Sequence, residues 1–158
     1  MIAPREGTEM VTHTGSCACG QIKITATCEP LIVSMCHCLL CQKRTGSTYS
    51  AHAYFPTETV TVEGTTKVYA RKGDSGAYVY FHFCPECGST IHWEVEATPE
   101  KTGIPVGLFA DPTFPPPSVS IFVPHKHPWV SVPEGIPQNE GHSAAFAAAA
   151  AAAVARRI

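Results

Sequence analysis

The chain is short of charge, of long apolar runs and of helix-forming stretches, and each shortage excludes something. Only 15% of its 158 residues are charged, the net charge is -2, and no block of basic residues occurs. Electrostatically driven binding to nucleic acid or anionic membrane is therefore not expected. No apolar segment reaches the roughly 20 residues that span a bilayer. The opening residues, MIAPREGTEM, lack the apolar centre of a secretory signal, so an intracellular, cytoplasmic protein is expected. With 12 glycines and 14 prolines, the chain is punctuated too often for long helices over most of its length. Its 44% hydrophobic content is that of a globular chain of one-domain size with a real core.

What the chain does have is cysteine, eight in all. In a reducing compartment, clustered cysteines bind metal or do chemistry more often than they pair. All but Cys28 fall into three groups: Cys17 and Cys19; Cys36, Cys38 and Cys41; Cys84 and Cys87. A disulfide framework spreads its cysteines along the chain, so metal is the better explanation.

Around these groups the chain reads as short strands. QIKITATC (21–28) alternates Ile22, Ile24 and Ala26 with Lys23, Thr25 and Thr27, the period of a half-buried strand. LIVSM, TYSAHAYF, ETVTVEG, TKVYAR, AYVYFHF, STIHWEVE, IPVGLF and SVSIFV are similarly rich in β-branched and aromatic residues. The expectation is an all-β domain of eight to ten short antiparallel strands, with a helical turn after Cys38 (LLCQKRT). DPTFPPP (111–117) reads as a rigid extended loop. Residues 1–141 form the domain, with the motifs in 15–141, and 142–158 form an Ala-rich tail. Within that tail AAFAAAAAAAVA (144–155) is helix-prone, and reads as a frayed or packing-ordered terminal helix without chemistry.

Cys17-x-Cys19 and Cys84-x-x-Cys87 are each followed by glycine, which lets the chain turn tightly and aim N–H groups at sulfur. Together they make one tetrahedral four-thiolate site, a structural zinc whose affinity becomes folding free energy. Cys36, Cys38 and Cys41 are then left with three ligands. Either Cys28 or a nearby histidine closes this site, or the fourth position stays open, as in catalytic zinc. His37 lies between two ligands and should point away from them, while His52 and His92 read as strand histidines.

GSCACGQI, CHCLLCQKRTGS and FCPECGSTI, in that order, resemble the glutathione-dependent formaldehyde-activating family, which includes the centromere protein V type of domain. PHKHPWVSVPEGIPQNEG resembles the closing segment of bacterial members, so the resemblance covers residues 15 to about 141. It implies the all-β fold called a β-tent. It implies that Cys17, Cys19, Cys84 and Cys87 hold a structural zinc, and that Cys36, Cys38 and Cys41 hold a second, catalytic one. The implied reaction joins a small-molecule thiol, glutathione, to formaldehyde, formally as a reversible carbon–sulfur lyase.

Several assignments stay open at this level. Thr45, Gly46 and Ser47 could donate to the hemithioacetal oxygen or merely turn and cap the chain. Lys43, Arg44, Arg71, Lys72 and Lys126 are candidate anchors for glutathione carboxylates or simply solvated charges. The rival to a lyase is a non-catalytic binding module stabilised by two structural zincs. An adaptor role like that of the centromere-type relatives would want a basic extension that this chain lacks.

Overall fold

Eleven strands and two α-helices organise residues 10–157, the part this computed structural model describes. Residues 1–9 and 158 lie outside the described residues, and the expectation that the first segment is not a secretory signal lies there with them. A three-stranded sheet joins β1 (His13–Ser16), β2 (Lys23–Ala26) and β5 (Val60–Glu63) in that order. An eight-stranded sheet runs β11 (Gln138–Asn139), β10 (Val119–Ile121), β3 (Ile32–Cys36), β4 (Ser50–Pro56), β9 (Lys101–Pro105), β8 (Thr90–Val95), β7 (Tyr78–Phe83), β6 (Lys67–Lys72). Helix α1 is Leu39–Thr45 and α2 is Ala144–Ala155.

The mostly-β expectation, with a terminal helix, matches this architecture. Its details differ in three places. β1 and the two-residue β11 were too short to announce themselves. IPVGLF stops being strand at Pro105 and becomes a 3-10 turn over Val106–Phe109. β10 pairs parallel with both β3 and β11, where antiparallel strands were expected. The long connection through 106–118 lets the chain return in the direction of β3, which a hairpin cannot do.

Alternation then separates two interiors. Ile22, just before β2, and Ile24 and Ala26 within it are fully buried, as their period predicts, and meet Val33, Ala53, Phe55, Ile91 and Ile104 of the large sheet. Each such Ile or Phe contributes about 1.5–3 kcal/mol by leaving water. The opposite faces of β3 and β4 present Ile32, Ser34 and Cys36, and His52 and Tyr54, to a cavity. A second cluster, Ala77, Phe81, Trp93, Val95 and Ala97, covers the far side of that cavity and packs on Ala150 of α2. Trp93 lies flat over β9 because residue 103 is glycine; any Cβ there would overlap its indole.

The alanine helix is held by tertiary packing rather than propensity. Ser143 caps it by accepting the Phe146 N–H at 3.1 Å, and Ala150 and Ala153 are buried. Just past its last turn, Arg157 grips Glu96 through two bonds of 2.6 Å and donates to the Gly76 carbonyl at 2.8 Å. No helix among the described residues is long and apolar enough to cross a membrane.

Candidate metal centres and their cavity

Cys17 and Cys19 sit in the turn after β1, and Cys84 and Cys87 in the turn after β7. Gly20 and Gly88 take left-handed φ values of 81° and 75°, and each donates its N–H to the carbonyl of the first cysteine of its pair at 2.9 Å. Two matching knuckles result. The sulfurs of Cys17 and Cys19 are 3.5 Å apart, those of Cys19 and Cys84 3.7 Å, and all four lie within 4.8 Å of one another. A zinc–sulfur bond of about 2.3 Å gives a tetrahedral edge of about 3.8 Å, so the four could hold such an ion. Donors stabilise the thiolates: Ile22 N–H to Cys17 Sγ and Gln21 Nε2 to Cys84 Sγ, both at 3.3 Å. The Ser89 hydroxyl, and then its N–H, draw the Cys87 thiol down to about 5. Through these turns the small sheet is tied to the corner of the large one.

The second cluster is local. Cys36 ends β3, Cys38 caps α1, and Cys41 lies in its first turn, where its N–H donates to Cys38 Sγ at 3.2 Å. His37 turns away, fully buried, with Nε2 2.9 Å from Ser120 Oγ. The three sulfurs lie within 4.8 Å of one another, and among the described residues no fourth Cys, His, Asp or Glu joins them. Packed so tightly, the thiols cannot all ionise without a cation. Hydrogen bonds from Cys36, then Cys41, hold Cys38 down to about 2, while bonding to Cys38 and then Cys41 pushes Cys36 up. This donor set fits a soft or borderline metal ion. Cys28 is elsewhere: its thiol donates to Thr59 Oγ1 at 3.4 Å and packs against the core between the sheets.

The three-cysteine cluster opens on a cavity of about 470 Å³. Arg44 lies in its wall, its guanidinium carbon 4.9 Å from the Phe81 ring centre and 4.8 Å from that of Trp93. It donates to Ser50 Oγ at 3.0 Å and Thr90 Oγ1 at 3.4 Å. Burial pulls its pKa down and Cys41 opposes that, as a cation facing thiolates should. Burial, then Arg44, lower His52 to about 3, so it is neutral; its Nδ1 is 3.2 Å from Ser50 Oγ. Burial raises Tyr54 to about 12, and its hydroxyl accepts from Trp93 Nε1 at 3.2 Å. The phenol therefore keeps its own proton to donate.

A family model described as glutathione-dependent formaldehyde-activating enzyme matches residues 12–125. The chain belongs to that family. The match contains both cysteine clusters together with Arg44, His52, Tyr54 and Trp93, and it ends before α2. A search of curated proteins finds no match. Among solved structures, that of a Rhodobacter sphaeroides protein is similar with a TM-score of 0.50 and 20% identity, over 79% of this chain and 98% of the other. That likeness supports the fold of this formaldehyde-activating family member and nothing finer.

The other sequence-derived candidates divide. Thr45 donates to the Cys41 carbonyl at 2.9 Å, Ser47 N–H donates back to Thr45, and Gly46 is the left-handed cap of α1. That loop turns the chain and does not line the cavity. Of the five cations, Arg44 and Arg71 line it; Lys126 is spent on the carbonyls of His127 and Val130, Lys72 lies over Tyr78, and Lys43 is exposed. His52, Tyr54, Phe81, Trp93 and α2 were missed as cavity residues. Only the strand parity shared by Ser34, Cys36, His52 and Tyr54 could have pointed to the first two.

Proposed function

We propose that this chain is a zinc-dependent carbon–sulfur lyase that reversibly joins a small-molecule thiol, glutathione or a similar one, to an aldehyde. The observation that carries the proposal is a three-thiol cluster without a fourth protein ligand among the described residues, opening on a half-open, largely apolar cavity. Cys17, Cys19, Cys84 and Cys87 hold a structural zinc, and Cys36, Cys38 and Cys41 hold the second. At that second position zinc would keep a substrate thiol ionised near neutral pH.

The remaining work falls to the chain. Arg44, fixed by two hydroxyls and two rings, offsets the negative charge of the cysteine thiolates. Tyr54 donates to the aldehyde oxygen as the new carbon–sulfur bond pushes an electron pair onto it. The oxygen ends protonated, the proton that the thiol released on ionising restores Tyr54 through solvent, and the reverse step returns both. His52, uncharged, contributes shape and orients Ser50 without competing for protons. Holding thiol and aldehyde together supplies most of the acceleration, because the two already react unaided.

Exchange-detected NMR of glutathione mixed with formaldehyde tests this. Catalytic amounts of zinc-loaded protein should speed interconversion of free and adduct forms, with two zinc ions per chain in native mass spectra. Exchange no faster than in protein-free buffer sinks the lyase assignment and leaves a zinc-stabilised binding module.

A further inference from the structure

The alanine helix, which the sequence offered as an inert tail, forms one wall of the cavity. Phe146 and Ala149 of α2 line it beside Phe81 and Trp93, and these residues pack into one apolar cluster. The wall is fixed rather than loose, since Ala150 and Ala153 are buried and Arg157 clamps the helix end to Glu96 and Gly76. Alanine has a consequence here beyond helix propensity. Its short side chains let the helix seat closely while leaving open the space that larger ones would fill.

The cavity, at about 470 Å³, has the size of an organic molecule of moderate bulk. Formaldehyde, one carbon and one oxygen, would leave most of it wet against apolar walls. Charge does not favour a large anion either. Away from the thiols, Asp74 and Glu100 balance Arg71 and Lys101 around the lining. Arg44 is already held by Ser50 and Thr90. Nothing there is arranged to clamp two distant carboxylates.

We infer that α2 is a specificity wall, and that the aldehyde-derived part of the substrate carries an apolar chain or ring which lies against Phe146 and Ala149. This rests on the thiol–aldehyde reading of the site and names its substrate class. The chemistry balances as before: the thiol sulfur bonds the carbonyl carbon, the oxygen gains the electron pair and a proton, and the apolar substituent stays intact. Because the family match ends at residue 125, this wall comes from a segment outside the matched region.

The probe is 1-hexanol, an unreactive alcohol with the proposed apolar chain, titrated into zinc-loaded protein. Trp93 reports, in a background where the exposed Trp129 is replaced (Trp129→Phe), leaving one tryptophan. Hexanol should change Trp93 emission saturably, and Ala149→Phe, which fills the cavity, should weaken binding about tenfold or more. Phe146→Ala, which enlarges it, should shift preference from hexanol toward octanol by about tenfold, the worth of two buried methylenes. Thermal melts confirm that each variant folds, and either variant alone suffices. Absence of saturable binding, or binding and chain-length preference unchanged in the folded variants, overturns the inference. The glutathione–formaldehyde exchange assay is scored separately. Exchange is also measured with hexanal in place of formaldehyde. Hexanol binding without exchange of either aldehyde removes the lyase reading and leaves the apolar cavity; exchange without hexanol binding does the reverse.

Discussion

The two cysteine clusters use one ligand chemistry for opposite ends. The four-cysteine site draws two pairs from turns 65 positions apart and satisfies itself, with every sulfur facing another. The three-cysteine cluster comes from six consecutive positions, is positioned by a strand end and a helix cap, and faces a cavity. Distance along the chain is what separates them. A cross-link between remote turns adds most to the fold, because it constrains the most chain. A cluster contained in one strand–helix junction adds little to global topology, so it can leave a coordination position for something else.

Breaking each site in turn should expose that contrast. The largest effect is expected from Cys84→Ser. Metal binding at structural sites of small modules is worth on the order of 10 kcal/mol, so cooperative melting by circular dichroism should be lost. A variant that still melts cooperatively near the native temperature would show that the two clusters do not differ in kind. Cys38→Ser should keep the fold and lower zinc from two to one per chain. Adduct exchange should fall by about 100-fold or more, as expected when the substrate-positioning group is lost. Retained exchange would move the active site elsewhere.

Smaller effects test the walls around the open cluster. Gly103→Ala forces a Cβ into the Trp93 indole and should cost about 1–3 kcal/mol in denaturant titrations, the range for overpacking. No loss of stability would mean that Trp93 is free to move. His52 supplies a pH test. Its native value, about 3, lies below the ordinary histidine value of about 6.5. As pH falls below about 6.5 the unfolded chain takes up a proton that the native state refuses until about pH 3. Its contribution is therefore full above that window and falls through it, by up to about 1.4 kcal/mol per pH unit. His52→Leu should flatten the acid limb of stability measured from pH 7 to pH 5; an unchanged slope would place the responsible proton on another group. The smallest effect belongs to Cys28→Ala. Zinc stoichiometry should not change, and the loss of one thiol–hydroxyl contact with Thr59 should cost about 1 kcal/mol or less. Loss of one zinc would make Cys28 a ligand and close the site.

How much of this was legible in the sequence depended on range. Ile22, Ile24 and Ala26 announced their strand because alternation is a local property, and the sulfur spacing announced thiol clusters that could hold metal for the same reason. LLCQKRT gave its helix because cap and turn are local too. The cavity was not legible. His52 joins Cys36 only through the β3–β4 register, which a one-residue slip would invert. Phe81 and Trp93 come from another part of the sheet, and Phe146 from the far end of the chain. Parallel pairing of β10 was hidden for the same reason, since it depends on where a long loop returns. Thr45 and Ser47 show the opposite error: polar residues beside a candidate site whose hydrogen bonds are spent inside their own turn.

Exposure of the sulfurs adds a chemical vulnerability to the contrast between the clusters. Cys19 and Cys87 lie at the surface, whereas Cys36 and Cys38 are buried. An oxidant or a reactive electrophile arriving from solvent meets sulfurs of the four-cysteine site before the buried pair of the three-cysteine cluster. Damage of this kind would therefore register first as unfolding, with the buried cysteines of the three-thiol cluster still chemically intact. For a member of a formaldehyde-activating family, the electrophile most able to strike its scaffold is of the class the family is named for.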